Sequence, residues 1–211
     1  MKRILDWRLL TALLVFVFGM VVTSCGGNPD GGVAVDLGLP SGTLWADRNI
    51  GADSPEDCGD YFAWGETEPK TTYNWSTYKW CKGRYGTLTK YCADLASGTV
   101  DNKMTLEPED DAATANWGKA WCMPTPEQIR ELYDECTWTK ITQNGVNGSK
   151  VTGPNGNSIF IPAAGIRSND KLYGFGSEFG IRTNMLVEVE WVLDYSRRYY
   201  GIPVRAVRAG K

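Results

Sequence analysis

Histidine is absent from all 211 residues. That excludes Ser-His-Asp and Cys-His catalysis and every metal site built on imidazole. An enzyme here would have to work through carboxylates, a lone cysteine, or a lysine or tyrosine base. None of the 6 cysteines forms a C-x-x-C pair, which argues against a cysteine zinc site or a thioredoxin-like dithiol. Basic excess is missing too: 22 Lys and Arg stand against 25 Asp and Glu. The chain therefore lacks the electrostatic footprint of a nucleic-acid binder. Segments with helical periodicity are few. What is plentiful is tryptophan (9), tyrosine (10) and glycine (24), a mix that points to a loop-rich α+β domain with aromatic anchors.

The N-terminus reads as an export signal. Lys2, Arg3 and Arg8 give a positive start, and Leu9 to Val22 is an uncharged apolar run. That length suits a signal core and falls short of the ~20 residues that span a bilayer. Val22-Thr23-Ser24-Cys25 follows and resembles the bacterial lipobox, in which the cysteine is acylated. A buried core helix is the competing reading. It is disfavoured because the run leads into Gly26-Gly27-Asn28-Pro29-Asp30-Gly31-Gly32, a flexible tether rather than a capped helix end. The expected layout is a signal over 1–24, a tether over 25–32 and one domain over 33–211. Several acyl chains on Cys25 would anchor the protein without a spanning helix. The expected location is the cell envelope at the outer membrane, with display at the cell surface compatible with it.

With Cys25 acylated, Cys58, Cys81, Cys92, Cys122 and Cys136 remain, so at least one is unpaired. An exported compartment permits disulfides. Cys81 and Cys92 flank a loop carrying Gly83 and Gly86 and could meet. Cys122 and Cys136 flank a helical segment whose ~10 residues separate its ends by ~15 Å, too far for the ~5.5 Å that a disulfide needs.

Within the domain, Val35 to Ala46 alternates and turns at Pro40-Ser41-Gly42, an opening hairpin. Tyr61, Phe62, Trp64, Tyr73, Trp75, Tyr78 and Trp80 are expected to fill a core between loops. Asp110 to Gly118 reads as a short helix with an Asp cap and a left-handed Gly118 end. Thr125, Pro126 and Gln128 form a capping box for a second helix. There Ile129, Leu132, Tyr133 and Cys136 make one apolar stripe, and Cys136 is read as a core residue. Turns are expected at Asn144-Gly145, Asn147-Gly148 and Asn155-Gly156, the last joining Lys150-Val151-Thr152 to Ile159-Phe160-Ile161. Val187 to Leu193 and Val204 to Arg208 read as strands.

Several blocks then resemble one family in order and spacing. Trp121-Cys122-Met123-Pro124-Thr125-Pro126-Glu127-Gln128-Ile129-Arg130-Glu131-Leu132 is similar to its W-R-[ML]-P-T-x-x-E-[FWIL]-x-x-L segment. Val35 to Ala46, Gly59 to Glu66, Ile159 to Arg167 and Tyr199 to Arg208 match further blocks. Together they resemble the Fibrobacter succinogenes major paralogous domain family of exported Bacteroidota lipoproteins. The resemblance covers nearly all of Val33 to Arg208. It implies a C-type-lectin-like fold related to formylglycine-generating enzymes, with two short helices, small twisted antiparallel sheets and long irregular loops. Two departures stand out. The Tyr-Trp-Ser-Ser segment expected after Gly176-Ser177 is replaced by Glu178 to Met185, and the stretch from Trp191 to Tyr199 is short.

Fold alone assigns no activity, so candidate sites are weighed separately. The expected ligand-binding surface is the C-terminal loop face: Arg182, Asn184, Glu188, Glu190, Trp191, Asp194, Tyr195, Arg197, Arg198 and Tyr199. Aromatic and arginine side chains are common interface anchors, and a glycan or surface protein is the expected partner besides the membrane. The blander alternative puts Glu188 and Glu190 on a wet strand face and Trp191 in the core. A calcium-dependent sugar site at Glu107-Pro108-Glu109 with Asp110 and Asp111 has suitable oxygen ligands. It lies too early in the domain, however, and an Asp there already caps a helix. Chemistry like that of the formylglycine-generating enzymes needs a C-terminal cysteine pair, and no cysteine follows Cys136. Glu66 and Glu131 have plainer roles in a turn and on a solvated helix face. No catalytic residue, metal ligand or cofactor is assigned. A structural or assembly lipoprotein without a small ligand remains the alternative to recognition.

Overall fold

Local chemistry sets the first elements. The computed structural model describes residues 31–177, 180–184 and 198–210. Strands β1 (Ala34–Asp36) and β2 (Leu44–Ala46) pair antiparallel, Asp36 opposite Leu44. Between them Gly42, at φ 69°, donates its N–H to the Leu39 carbonyl at 2.9 Å and closes the Pro40-Ser41-Gly42 turn. A glycine tolerates that left-handed backbone without steric cost.

Strand β3 (Tyr61–Phe62) follows, and a 3-10 turn over Pro108–Asp110 runs into α1 (Ala112–Trp117). The Asp111 side chain accepts from the N–H groups of Ala113 and Thr114, and Gly118 ends the helix at φ 85°. Helix α2 (Pro126–Glu135) has the expected capping box, Thr125 and Gln128 each bonding the other's backbone N–H. It buries Ile129, Leu132 and Cys136 against Leu37, Trp45, Val151, Ile159 and Val207. Full burial of a leucine side chain such as Leu132 contributes roughly 2 kcal/mol.

A meander comes next: β4 (Thr137–Gln143), β5 (Val146–Thr152) and β6 (Ser158–Pro162), in the order β4-β5-β6. Asn144 and Gly145, both at positive φ, make the two-residue turn between β4 and β5, the geometry that matches strand twist. Asn147-Gly148 is not a turn. Gln143 pairs with Val146, which puts Asn147 opposite Thr142 and Gly148 opposite Ile141, inside β5. Glycine is required at 148 for another reason: a Cβ there would lie 2.4 Å from the Phe160 ring and 2.4 Å from the Ile161 carbonyl oxygen. The turn containing Asn155-Gly156 joins β5 to β6 as expected, Thr152 opposite Ser158.

Strands β7 (Ile166–Ser168) and β8 (Lys171–Tyr173) form a separate hairpin. The expected single strand from Val204 to Arg208 is divided. β9 (Ile202–Pro203) pairs with β3, and β10 (Val207–Arg208) pairs with β2. The division follows from Arg205, only 1% exposed. Its side chain turns inward to Ala46, Asn49 and Phe160, while the Val204 and Ala206 carbonyls accept from Ile50 and Ala46. The other expected strand, Val187 to Leu193, lies outside the described residues. The result is a mixed α+β domain with two short α-helices and small antiparallel sheets among the described residues.

The five described cysteines are free thiols, Cys81 and Cys92 included. The Cys81 thiol donates to the Trp75 carbonyl at 3.0 Å and the Cys92 thiol to the Asp94 carbonyl at 3.1 Å. Each is satisfied locally, and the two form no disulfide across the loop.

Candidate functional site

Trp64 organises the region to which the C-terminal candidates map. Its indole N–H donates to the Thr183 carbonyl at 3.0 Å, and its backbone N–H donates to the Arg198 carbonyl at 2.8 Å. The two legs of the 182–200 segment are thus held by one residue, at the start of a turn that Glu66 closes onto Ala63. A direct tie joins the legs as well, Arg182 Nη2 donating to the Tyr200 carbonyl at 2.6 Å. Asn184 is fixed through its backbone, donating to Pro124 and accepting from Leu106, each at 2.9 Å.

Arg182 and Arg198 are 7% and 6% exposed, so their charges are not surface contacts. Arg198 Nη1 donates to the Tyr91 carbonyl at 2.6 Å, and its guanidinium lies 5.7 Å from the Trp64 ring centre. Burial pushes the Arg182 guanidinium down to about 10, against the pull of Tyr78 and Glu66; it stays charged at neutral pH. Two buried polar atoms in this region, Arg182 Nε and Asn184 Oδ1, have no hydrogen-bond partner among the described residues. The expectation that all ten candidates form one outer surface therefore changes for two of them: Arg182 and Arg198 position the legs.

Tyr199 is different. Half-buried, it meets Trp75 edge-on at 5.0 Å and Tyr200 at 4.9 Å. Trp75 in turn meets Tyr85 at 5.5 Å, and Tyr85 is 63% exposed. This aromatic group borders the return leg, and Trp75 and Tyr85 are members that sequence reasoning missed. Tyr73 and Tyr78 are core residues as expected, but Trp75 and Trp80 are only partly buried. The available signal was Tyr85 itself, a large ring on a turn between Gly83 and Gly86. Cys25, Glu188, Glu190, Trp191, Asp194, Tyr195 and Arg197 lie outside the described residues.

Of the four carboxylates considered for calcium, Glu109 is exposed and the other three are engaged elsewhere. Glu107 pairs with Lys90 and Lys103. Asp110 accepts from Lys90 at 2.6 Å, Tyr91 at 2.7 Å and Lys79 at 3.3 Å. Burial would raise the Asp110 carboxyl, but those donors outweigh it and hold it below its ordinary value. Asp111 caps α1 and also accepts from the Met123 N–H at 2.9 Å; burial dominates there and raises its carboxyl. Glu66 is buried and bonded to Lys70 and the Lys79 N–H, each at 2.8 Å. Glu131 is not simply solvated: its two oxygens accept from the Ser41 N–H and hydroxyl at 2.7 and 2.5 Å, pinning the first hairpin turn to α2.

Among the described residues the arrangement is two legs clamped on Trp64, an aromatic border, and Glu66, Glu107, Asp110, Asp111 and Glu131 committed to structure. Comparison with protein-family models, curated proteins and solved structures gives no match.

Proposed function

We propose that the chain is a non-catalytic binding module with a C-type-lectin-like domain of the major paralogous type, exported and tethered to the envelope by lipid on Cys25. Its contact surface is the C-terminal loop face, from residue 184 to Tyr199, bordered by Trp75 and Tyr85. The observation that carries this reading is the double hold of Trp64 on Thr183 and Arg198, which fixes both ends of the segment to the core. Aromatic rings at its border add the kind of side chain that dominates interface energies. The small antiparallel sheets and capped helices support the fold assignment, and the lipobox-like Val22 to Cys25 supports the anchor.

The test is an array of glycans and surface proteins probed with wild type and with Trp75→Ala, Tyr85→Ala and Tyr199→Ala. Loss of a wild-type signal in these variants is expected, and unchanged binding in all three removes the loop-face reading. A pull-down from the native envelope that recovers only envelope components favours the assembly role instead. Metabolic labelling with a fatty acid tests the anchor: Cys25→Ala should abolish it, and persistent acylation would overturn the claim.

A further inference from the structure

The core face of the β4-β5-β6 sheet changes character along its length. At one end Trp138, Val151 and Ile159 stand abreast, and the latter two are buried in the core beside α2. Two residues on, Lys140, Ser149 and Ile161 are abreast. Two further, Thr142 faces Asn147, whose carbonyl accepts from the Ala163 N–H. Side chains alternate between faces along a strand, so Lys140, Thr142, Asn147 and Ser149 share the side that is apolar near the helix. There they line a cleft of about 530 Å³, closed along one side by Gly176 and Ser177. That volume lies within the ~300–1,000 Å³ usual for small-molecule sites.

The chemistry of the cleft is specific. Thr142 Oγ1 donates to Asn147 Oδ1 at 2.8 Å, and Asn147 Nδ2 donates to the Gly176 carbonyl at 3.2 Å. Both amide groups are spoken for, so the Asn147 side chain is fixed in orientation. Ser177 Oγ is likewise turned to the Gly174 carbonyl at 3.1 Å. Their oxygens keep lone pairs for a ligand's hydroxyl groups. Ser149 is only 3% exposed, yet its hydroxyl has no hydrogen-bond partner among the described residues. The hydroxyl itself is not sealed from solvent, and it opens to the cleft that the residue lines. Among the described lining residues Lys140 brings the single charge; it makes no ion pair with a described residue, and no described carboxylate lines the cleft.

We infer that this cleft is a binding site for a small hydroxylated carboxylate of the sugar-acid class. One lysine matches one carboxylate, whereas phosphate sites gather several cations or a fan of backbone N–H groups. Ser149 donates to the acid or to a ring hydroxyl, and the oxygens of Thr142 and Ser177 accept from the remaining hydroxyls. None of these residues belongs to the 182–200 segment, so the site stands or falls apart from the loop-face reading.

The test is a titration of the full chain in detergent micelles, followed by amide NMR, with galacturonate and with galactose as its neutral counterpart. Galacturonate at millimolar concentration should produce saturable shifts at Thr142, Ser149 and Ser177, and galactose should leave them in place. Lys140→Met should weaken the acid at least about tenfold, as loss of a charged hydrogen bond does. Ser149→Ala should weaken binding while leaving the urea midpoint unchanged, because the hydroxyl bonds to no described residue. No saturable shift in the cleft, equal binding of galactose, or full affinity in Lys140→Met would each overturn the assignment. So would a drop in the Ser149→Ala midpoint with affinity intact.

Discussion

Arg205 Nε donates to Asn49 Oδ1 at 2.8 Å, across 156 positions of sequence. The rest of the guanidinium is equally engaged, Nη1 with the Ala46 carbonyl at 3.0 Å and Nη2 with the Phe160 carbonyl at 2.9 Å. One side chain thus ties the β1-β2 hairpin, the loop after it and the central strand meander together. Burial pushes its guanidinium down to about 9, with Asp47 acting the other way, so the charge survives at neutral pH. Removing it leaves three acceptors stranded in the interior. Arg205→Met should destabilise the fold by about 3–5 kcal/mol, read from the urea midpoint. Arg205→Lys should recover little, since an ammonium lacks the planar fork that reaches three separated oxygens. A lysine variant of wild-type stability would show that the geometry is not what matters.

Acid sensitivity should trace to Asp110 and Asp101. In each, burial acts upward but is outweighed by donors: Lys90, Tyr91 and Lys79 for Asp110, and the N–H groups of Cys92, Tyr91 and Lys103 for Asp101. Their folded values lie below the unfolded carboxyl value near ~3.9. The stabilisation is therefore complete above about pH 4 and lost as pH falls below it, where the unfolded chain takes up protons first. The raised carboxyl of Asp111 works in the opposite sense. Asp110→Asn should be less stable at neutral pH and show a shallower loss as pH falls below about 4. An unchanged slope would place the acid transition elsewhere.

Trp64→Phe separates the two ties on the C-terminal legs, because it keeps the backbone bond to Arg198 and deletes the indole donor to Thr183. The stranded carbonyl should cost about 1–3 kcal/mol. Hydrogen exchange should quicken at the Asn184 amide more than at the strands of the β4-β5-β6 meander. Equal acceleration everywhere would mean that the indole serves the core generally rather than the legs.

The thiols give a chemical check on the fold. Unfolding without reductant, followed by alkylation and mass analysis, should show Cys58, Cys81, Cys92, Cys122 and Cys136 all modified. In the native protein reaction should be slow, since burial raises the Cys58, Cys122 and Cys136 thiols above their ordinary value and the thiolate is the reactive form. A linked Cys81–Cys92 peptide would contradict the local bonding of those two sulfurs.

Features that depend on neighbours in sequence were legible. The capping box of α2, the Asp111 cap, the Gly42 turn and the Asn144-Gly145 turn each need only a few adjacent residues. Asn147-Gly148 looks identical to a turn dipeptide, but the register imposed by the turn three residues earlier places it within a strand. Arg205 was invisible for the same kind of reason. An arginine in an alternating stretch reads as solvent-facing, and only acceptors supplied by Ala46, Asn49 and Phe160 make its burial tolerable. Arg182 and Arg198 were read as surface anchors on composition, and the carbonyls of Tyr200 and Tyr91 decide otherwise. The cleft beside Ser149 had no local signature at all, since it arises where a sheet face runs past the end of its core.

The double hold of Trp64 has a consequence for how the chain tolerates replacement. With Thr183 and Arg198 pinned to one residue, the distance between the two attachment points belongs to the core and not to whatever joins them. Replacing residues 185–197 with a different insert would leave that distance unchanged. Even doubling the insert's length would add only about 0.6 kcal/mol of closure cost. The domain is thereby insulated from whatever sequence joins the two legs, a socket into which new sequences can be exchanged without refolding the scaffold.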